Sequence, residues 1–180
     1  MSNVVIVNAK RSAIGKFLGS LSGLSSVDIG SSVLNSLIES SKIQKSDVDE
    51  VIMGQVLTGG HGQNPARQTM MLSEIPYEKS AVTINQVCGS GLRAISIGAQ
   101  SILSGQSEIV IAGGQESMSN SHHTANIRNG IKMGDGSLKD SMIVDGLWCA
   151  MNYYHMGTTA ENIAEKYKIS KEEQDLFSVA

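Results

Sequence analysis

The sequence is poor in aromatic residues, proline and cysteine. Only 4% of its 180 residues are aromatic, so a folded core must consist mainly of aliphatic side chains. The two cysteines, Cys88 and Cys149, lie far apart, and the first apolar run, Val4–Val7, is too short for a secretion leader. Free thiols are typical of a reducing compartment, so we predict a cytoplasmic protein without a disulfide.

The sequence also lacks a surplus of positive charge. It has 14 Lys and Arg residues against 17 Asp and Glu residues, which gives a formal net charge of −3. A nucleic-acid groove or an anionic membrane surface requires a basic face, so we expect neither partner. With 41% hydrophobic and 17% charged residues, the composition is typical of a folded chain with one substantial core.

Short β-branched runs alternate with longer stretches of helical periodicity. This order predicts an α/β fold, with a mixed, mostly parallel sheet that helices cover on both faces. The predicted strands are Val4–Asn8, 48–57, 80–87 and Glu108–Ala112. The predicted helices between them are Asp28–Ser41, 65–73 and 89–104.

Capping signals mark the predicted helix starts. Asp28 is a candidate cap for the first helix, and Pro65 suits the first turn of the second. Further along, Thr158 with Glu161, and Ser170 with Glu173, each have the spacing of a capping box. The last helix meets no stop signal before Ala180, so we expect the chain to be a piece of a longer polypeptide.

Residues 115–157 differ from the rest of the chain in composition. They are rich in Gly, Ser, Asn and Met, contain three of the four histidines, and show little sustained periodicity. A structureless loop of this length is improbable in a compact domain, so we expect an excursion with small elements of its own. His122 and His123 have no Cys or His at ligand spacing, so we predict no metal site.

Cys88 directly follows a predicted strand and precedes the strongest predicted helix. The unpaired N–H groups at a helix N-terminus stabilise a thiolate, and the small residues Gly89, Ser90 and Gly91 leave room for a ligand. The pattern is that of a nucleophile on a sharp strand-to-helix turn. A buried structural cysteine is the alternative, and the residues alone leave both open.

The same turn also fits a second class of protein. Gly89, Gly91 and Ala94 form a GxGxxA pattern, which after a strand can bind a dinucleotide. An acidic residue should then follow about 20 positions later to bind the ribose. Glu108 falls at the wrong end of the next strand, and Glu116 lies past a double glycine, so a dinucleotide-binding module is the weaker alternative.

Several longer motifs occur together along the chain. They are NQVCGSGLRAI (85–95), AGGQESMS (112–119), KMGDG (132–136), DGL (145–147) and YHMGTTAEN (154–162). In this order and spacing, from Val4 to Ala180, the sequence resembles the thiolase family. The resemblance implies the family's layered fold, with an N-terminal core half over residues 1–116 and the start of an inserted loop domain over 117–180.

The resemblance also implies chemistry on coenzyme A thioesters. Cys88 corresponds to the family's nucleophile, which forms an acyl-cysteine intermediate in a reversible Claisen condensation, and its backbone N–H is expected to form half of an oxyanion hole. Leu147, His155 and Met156 match positions that line the coenzyme A site. Coenzyme A thioesters are the substrates, and no permanently bound cofactor is expected. Glu116 matches a family position without an assignable role.

Two finer features resemble the biosynthetic branch of the family. His155 followed by Met156 favours acetyl-CoA and other short acyl chains, and the KMGDG segment resembles the loop through which such members form tetramers. The family's acid–base His and second Cys belong to a C-terminal half that this sequence does not contain. Cys149, beside Trp148, is expected to be a packing residue instead. We therefore expect the isolated chain to be inactive; a non-catalytic interaction fragment is the third alternative.

Overall fold

The computed structural model describes residues 4–180 and has an α/β fold. The chain divides into one compact unit that ends at His122 and a second that comprises His123–Ala180. The predicted domain boundary after residue 116 stays a prediction. The strands are β1 Glu50–Gly54, β2 Ser80–Ile84, β3 Val110–Gly114, β4 His123–Thr124 and β5 Lys139–Asp140. The α-helices are α1 Ser26–Ser41, α2 Pro65–Leu72, α3 Ser90–Leu103, α4 Met156–Tyr167 and α5 Lys171–Val179.

The first unit is built on a parallel sheet with the order β2-β1-β3. The central strand β1 pairs with both neighbours, and Val51 lies opposite Ala81 on one side and Ile111 on the other. Residues Val51–Gly54 are all buried. A continuous buried run of this kind is typical of a parallel strand covered on both faces. The predicted strands over 48–57, 80–87 and Glu108–Ala112 are thus confirmed, within a few residues at their ends.

Helices cover opposite faces of this sheet. One face carries Val51, Met53 and Ile111, which pack in a single cluster with Leu34 of α1 and Met70 of α2. The other face lies against α3, since a Cβ atom added at Gly98 would meet the side chains of Val110 and Ala112. Alternate residues of β3 therefore face different helices, as the period-two geometry of a strand requires.

The N-terminal segment differs from the prediction. The backbone of Val4–Asn8 forms no strand, and the side chains of Val5, Ile6 and Val7 are 68%, 75% and 83% exposed. A β-branched run becomes a strand only where another strand accepts its backbone hydrogen bonds, and none pairs with it between residues 4 and 180. The side chain of Asn8 instead donates hydrogen bonds to the hydroxyl groups of Ser40 and Ser41 at the end of α1.

Two predicted caps are also wrong by a few residues. Helix α1 is capped by Ser25, whose side chain accepts from the backbone N–H of Asp28, while Asp28 completes the capping box from inside the helix. Helix α4 is capped by His155, so Thr158 lies within its first turn. The sequence signal for a box is a pair of residues three apart, and a nearby polar side chain that fits better can take the cap position.

The second unit is made of small elements. Strands β4 and β5 form an antiparallel pair, a π-helix spans Met142–Leu147, and helices α4 and α5 follow. Ser170 caps α5 and forms the predicted box with Glu173. These elements agree with the expectation that the long excursion carries structure of its own. No helix among residues 4–180 has the length and apolar character needed to cross a membrane.

Candidate functional site

Cys88 lies in the turn that joins β2 to α3. Strand β2 ends at Ile84, Gly89 is the N-cap of α3, and the helix begins at Ser90. The side chain of Cys88 is exposed and its thiol is free. The residue is therefore not the buried structural cysteine of the alternative interpretation, and a ligand can reach it.

The N-terminus of α3 differs from those of the other helices that the structure describes. In α1, α2, α4 and α5 the side chain of the N-cap residue accepts a hydrogen bond from a backbone N–H of the first turn. These N-caps are Ser25, Asn64, His155 and Ser170. In α3 the N-cap is Gly89, and no side chain caps the helix. First-turn N–H groups without a side-chain partner are a ready binding site for a developing negative charge.

The backbone of the turn is strained one residue before the cysteine. Val87 has φ of +50°, a left-handed conformation that is unfavourable for a β-branched side chain. A residue held in such a conformation costs about 1–3 kcal/mol and persists only where its surroundings fix it. The backbone N–H of Val87 donates to the side-chain oxygen of Asn85 over 2.8 Å, and its carbonyl accepts from the Ser90 hydroxyl over 2.6 Å.

A glycine at the end of β1 allows α3 to start directly on the end of the sheet. A Cβ atom added at Gly54, the last residue of β1, would lie 2.5 Å from the carbonyl carbon of Ser90 and 2.7 Å from the nitrogen of Gly91. A Cβ atom at Gly114, at the end of β3, would lie 3.4 Å from the Cα of Gly91. The distances at Gly54 are too short for any Cβ atom, so a glycine is required there, whereas 3.4 Å at Gly114 is an ordinary van der Waals contact. The carboxyl ends of β1 and β3 thus fix where the cysteine turn stands.

A network of hydrogen bonds between buried side chains lies next to the ends of β1 and β3. The Thr69 hydroxyl donates to Oε1 of Gln115 over 2.7 Å, and Nε2 of Gln115 donates to Oε1 of Gln55 over 3.0 Å. Nε2 of Gln55 then donates to the carbonyl of Leu57. All three polar side chains are buried. Sequence reasoning missed this network because the three residues are 14 to 60 positions apart and share no motif.

Glu116 has a structural contact that its sequence position did not reveal. Its two carboxylate oxygens accept from the backbone N–H groups of Val56 and Leu57, over 2.8 and 3.2 Å. Burial raises the pKa of Glu116, and these two hydrogen bonds offset part of that effect. The carboxylate therefore ties the segment after β3 to the segment after β1.

The three predicted coenzyme A residues lie together in the second unit. Leu147 ends the π-helix, His155 is the N-cap of α4, and Met156 is its first residue. An antiparallel bridge between Trp148 and His155 brings the two segments side by side. Nδ1 of His155 accepts from the backbone N–H of Gly157 over 3.0 Å, so the ring also has a structural contact. Cys88 belongs to the first unit.

Cys149 differs from the expected packing residue. It lies in the loop between Trp148 and His155, and its sulfur accepts hydrogen bonds from the backbone and side-chain nitrogens of Asn152, each over 3.3 Å. The backbone hydrogen bond from Asn152, with that from Met151, lowers the pKa of the Cys149 thiol. Its role here is to close a polar turn, because the loop buries no apolar core around it.

No group of three or more His, Cys, Asp or Glu side chains within residues 4–180 could hold a metal ion.

A match to a known protein family identifies the chain that carries this cysteine turn. The family described as "Thiolase, N-terminal domain" matches residues 4–180. The chain belongs to the thiolase family. This thiolase chain is 58% identical over 179 residues to an acetyl-CoA acetyltransferase of Allochromatium vinosum, a match that covers 99% of the chain and 45% of the relative. A Pseudomonas aeruginosa protein of the same name is 51% identical over 181 residues and is covered to 46%.

A solved structure supports the same assignment for the fold. The thiolase chain is similar to the Acat5 thiolase of Ascaris suum in complex with coenzyme A, with a TM-score of 0.86 and 40% identity. The match covers 92% of this chain and 43% of that one. This confirms the predicted thiolase-like layered α/β fold. The chain spans about half the length of the curated relatives it matches.

Proposed function

We propose that this chain carries the nucleophile of an acetyl-CoA C-acetyltransferase. The observation that carries the proposal is an exposed cysteine at the one uncapped α-helix start described in residues 4–180, in a chain of the thiolase family. The relatives named acetyl-CoA acetyltransferase support acetyl-CoA as the acyl donor. The thiolase crystallised with coenzyme A supports a coenzyme A thioester as the ligand class.

In the first step, the thiolate of Cys88 attacks the carbonyl carbon of acetyl-CoA. The bond between that carbon and the coenzyme A sulfur breaks, coenzyme A leaves and takes up a proton, and acetyl-Cys88 remains. Negative charge develops on the carbonyl oxygen during the attack. The donors that this chain offers to stabilise it are the backbone N–H of Cys88 and the first-turn N–H groups of α3 that follow Ser90, whose own N–H donates to Val87.

In the second step, the enolate of another acetyl-CoA attacks the acetyl carbon. A carbon–carbon bond forms, the carbon–sulfur bond to Cys88 breaks, and acetoacetyl-CoA leaves the regenerated thiolate. The net reaction turns two acetyl-CoA into acetoacetyl-CoA and free coenzyme A. One group must take the proton of the Cys88 thiol and another must remove the methyl proton of the second acetyl-CoA, and the resemblance assigns these two tasks to a His and a second Cys of the family's C-terminal half.

We further assign the coenzyme A contacts to Leu147, His155 and Met156. They converge at the bridge between Trp148 and His155, and two of the three are apolar, which suits the pantetheine arm of a thioester. His155 adds one polar group whose ring is oriented by its bond to Gly157. Met156 is 39% exposed and so remains able to contact a ligand.

Three further properties belong to the same proposal. The complete enzyme is a homotetramer, because the KMGDG segment resembles the loop through which biosynthetic members of the family form tetramers. The protein is cytoplasmic, because its two cysteines are free thiols. The 180-residue chain alone does not catalyse thiolysis, because it spans about half of its relatives. A cleavage assay with acetoacetyl-CoA and free coenzyme A tests this last point, and turnover at an enzymatic rate would refute it.

Alkylation by iodoacetamide tests the proposal directly, with mass spectrometry to distinguish Cys88 from Cys149. Acetyl-CoA should slow the alkylation of Cys88, and NAD should not. A mass increase of one acetyl group on Cys88 after incubation with acetyl-CoA should accompany the protection. Protection by NAD without acetylation would instead support the dinucleotide-binding alternative. No effect of either ligand would favour a non-catalytic interaction fragment.

A further inference from the structure

The hydroxyl group of Ser90 joins both sides of the turn that carries Cys88. It donates a hydrogen bond to the carbonyl oxygen of Val87 over 2.6 Å and accepts one from the backbone N–H of Gln86 over 2.8 Å. The side chain is buried, with 4% of its surface exposed. The backbone N–H of Ser90 also donates to Val87, over 3.1 Å. A single residue thus holds the two positions that directly precede the cysteine.

The conformation that Ser90 holds does not form readily without it. Val87 is left-handed, and a free chain with valine at this position would favour extended conformations. The contacts with Asn85 and Ser90 keep it in the left-handed region. If the Ser90 contacts are lost, the backbone of Val87 can relax, and the direction in which Cys88 projects changes with it.

Ser90 is itself fixed by the sheet. Its carbonyl carbon lies where a side chain on Gly54 would stand, so the main chains of β1 and α3 are in direct contact there. Ser90 therefore connects the end of the central strand β1 with the strained turn at Val87. Catalytic groups require support of this kind, because a misplacement of about 1 Å can reduce a rate by about 100-fold.

We infer that Ser90 is a positioning residue for Cys88. Its hydroxyl keeps the thiol and the backbone N–H of Cys88 in the orientation required for attack on an acyl thioester. The inference rests on the proposed function of Cys88, and it adds a residue that does not touch the substrate. Loss of the hydroxyl should reduce the reactivity of the thiol much more than it reduces the stability of the fold.

The test compares Ser90→Ala with Ser101→Ala. Ser101 is the matched control because it is a buried serine of the same helix, and its hydroxyl also makes two hydrogen bonds, to Glu50 and Ser107. It lies near the opposite end of α3 from Cys88. The 180-residue chain and both variants are incubated with acetyl-CoA at several concentrations, and acetylation of Cys88 is followed by mass spectrometry. Thermal melting is recorded for each.

We expect Ser90→Ala to lower the maximal acetylation rate of Cys88 by about tenfold or more, with the half-saturating concentration of acetyl-CoA unchanged. Ser101→Ala should leave the acetylation rate within about twofold of the unsubstituted chain. A wild-type rate for Ser90→Ala, or an equal loss in both variants, would overturn the inference. An equal loss would mean that any buried serine of α3 has the same effect.

Iodoacetamide provides a second measurement that does not depend on acetyl-CoA. Ser90→Ala should slow the alkylation of Cys88 and leave that of Cys149, in the same molecule, unchanged. If the unsubstituted chain is alkylated but never acetylated, the proposed function of Cys88 fails, and the alkylation rates still decide the effect of Ser90. If Cys88 in Ser90→Ala is then alkylated as fast as in the unsubstituted chain, Ser90 does not position Cys88.

Val87→Gly covers the case in which Ser90→Ala does not fold. Glycine adopts positive φ without strain, so this variant should melt no lower than the unsubstituted chain. The turn is then free to adopt other conformations, and alkylation of Cys88 should become several-fold slower. An unchanged alkylation rate would show that the fixed conformation of the turn does not control the thiol, and the inference would be wrong.

Discussion

A Cβ atom on Gly54 would lie 2.6 Å from the Cβ atom of Ser90. The end of the central strand β1 and the start of helix α3 are therefore in contact through their main chains, with no space for a methyl group between them. Because Cys88 lies just before this helix start, its position depends on a glycine that is 34 residues earlier in the sequence. This contact makes the glycine a target for mutagenesis.

Gly54→Ala should displace the start of α3, because the atoms it would meet are backbone atoms and the Cβ of Ser90, none of which can rotate away. We expect a loss of about 1–3 kcal/mol of unfolding free energy and slower alkylation of Cys88. Denaturant unfolding and iodoacetamide kinetics measure the two effects. Gly113→Ala is the control, since an added Cβ at this β3 position meets no atom within 4 Å. Equal effects of the two variants would refute the close-contact explanation.

The carboxylate of Asp49 should make the free energy of unfolding depend on pH in the acidic range. Its carboxylate accepts from the backbone N–H groups of Glu108 and Ile109 and pairs with Lys79, and these contacts, in that order, hold the pKa of Asp49 below its ordinary value. The folded state thus binds fewer protons than the unfolded state, so the stabilisation is complete above about pH 4 and is lost as the pH falls through the lowered pKa.

Asp49→Asn should cost about 1–2 kcal/mol of unfolding free energy at neutral pH and weaken this acid dependence. Urea unfolding at several pH values from neutral to acidic measures both. Glu108→Gln, which removes a carboxylate from an exposed neighbouring side chain, should leave the slope almost unchanged. If Asp49→Asn keeps the full acid dependence, other carboxylates must cause it.

The buried hydrogen-bond network of Thr69, Gln115 and Gln55 predicts that Thr69→Val lowers the free energy of unfolding. Valine has nearly the same shape as threonine but cannot donate to Gln115, whose Oε1 then lacks that bond in a buried site. We expect a loss of about 1–3 kcal/mol, measured by denaturant unfolding. Thr58→Val, at a half-buried position outside the network, should change the unfolding free energy by less than about 0.5 kcal/mol. A neutral Thr69→Val would mean that water replaces the lost donor.

His155 has a structural contact and a proposed ligand contact, and two substitutions separate them. Asparagine is a good N-cap, so His155→Asn should preserve the capping bond to Gly157 and lose the imidazole. His155→Ala should lose both, at a cost of about 1 kcal/mol in stability. Both variants should bind coenzyme A more weakly in calorimetry. Unchanged affinity in His155→Asn would remove His155 from the proposed coenzyme A site.

Local sequence signals predicted the environment of Cys88 well. The strand before it, the glycine-rich turn and the helix after it are all encoded within about 20 residues, and the structure has them in the predicted order. The box of Ser170 and Glu173 was predictable for the same reason, since both partners lie within one helical turn. Leu147, His155 and Met156 required the family motifs, because nothing in their spacing indicates a ligand.

Other features depend on partners that the local sequence does not specify. Val4–Asn8 has strand propensity, but propensity does not supply a strand to pair with. The N-caps at Ser25 and His155 were missed because several polar side chains compete for each cap, and backbone geometry decides between them. The hydrogen bonds of Glu116 depend on the pairing of β1 with β3, because that pairing places the N–H groups of Val56 and Leu57 beside its carboxylate.

The sequence by itself determined the family, the alternation of strands and helices, and the location of Cys88 at a helix start, because these are properties of short segments and their order. Only the tertiary structure decided how that cysteine is held. The approach of Gly54 to Ser90 and the buried network around Gln115 form between segments distant in sequence. Such contacts exist only after the chain has paid the entropy of bringing those segments together.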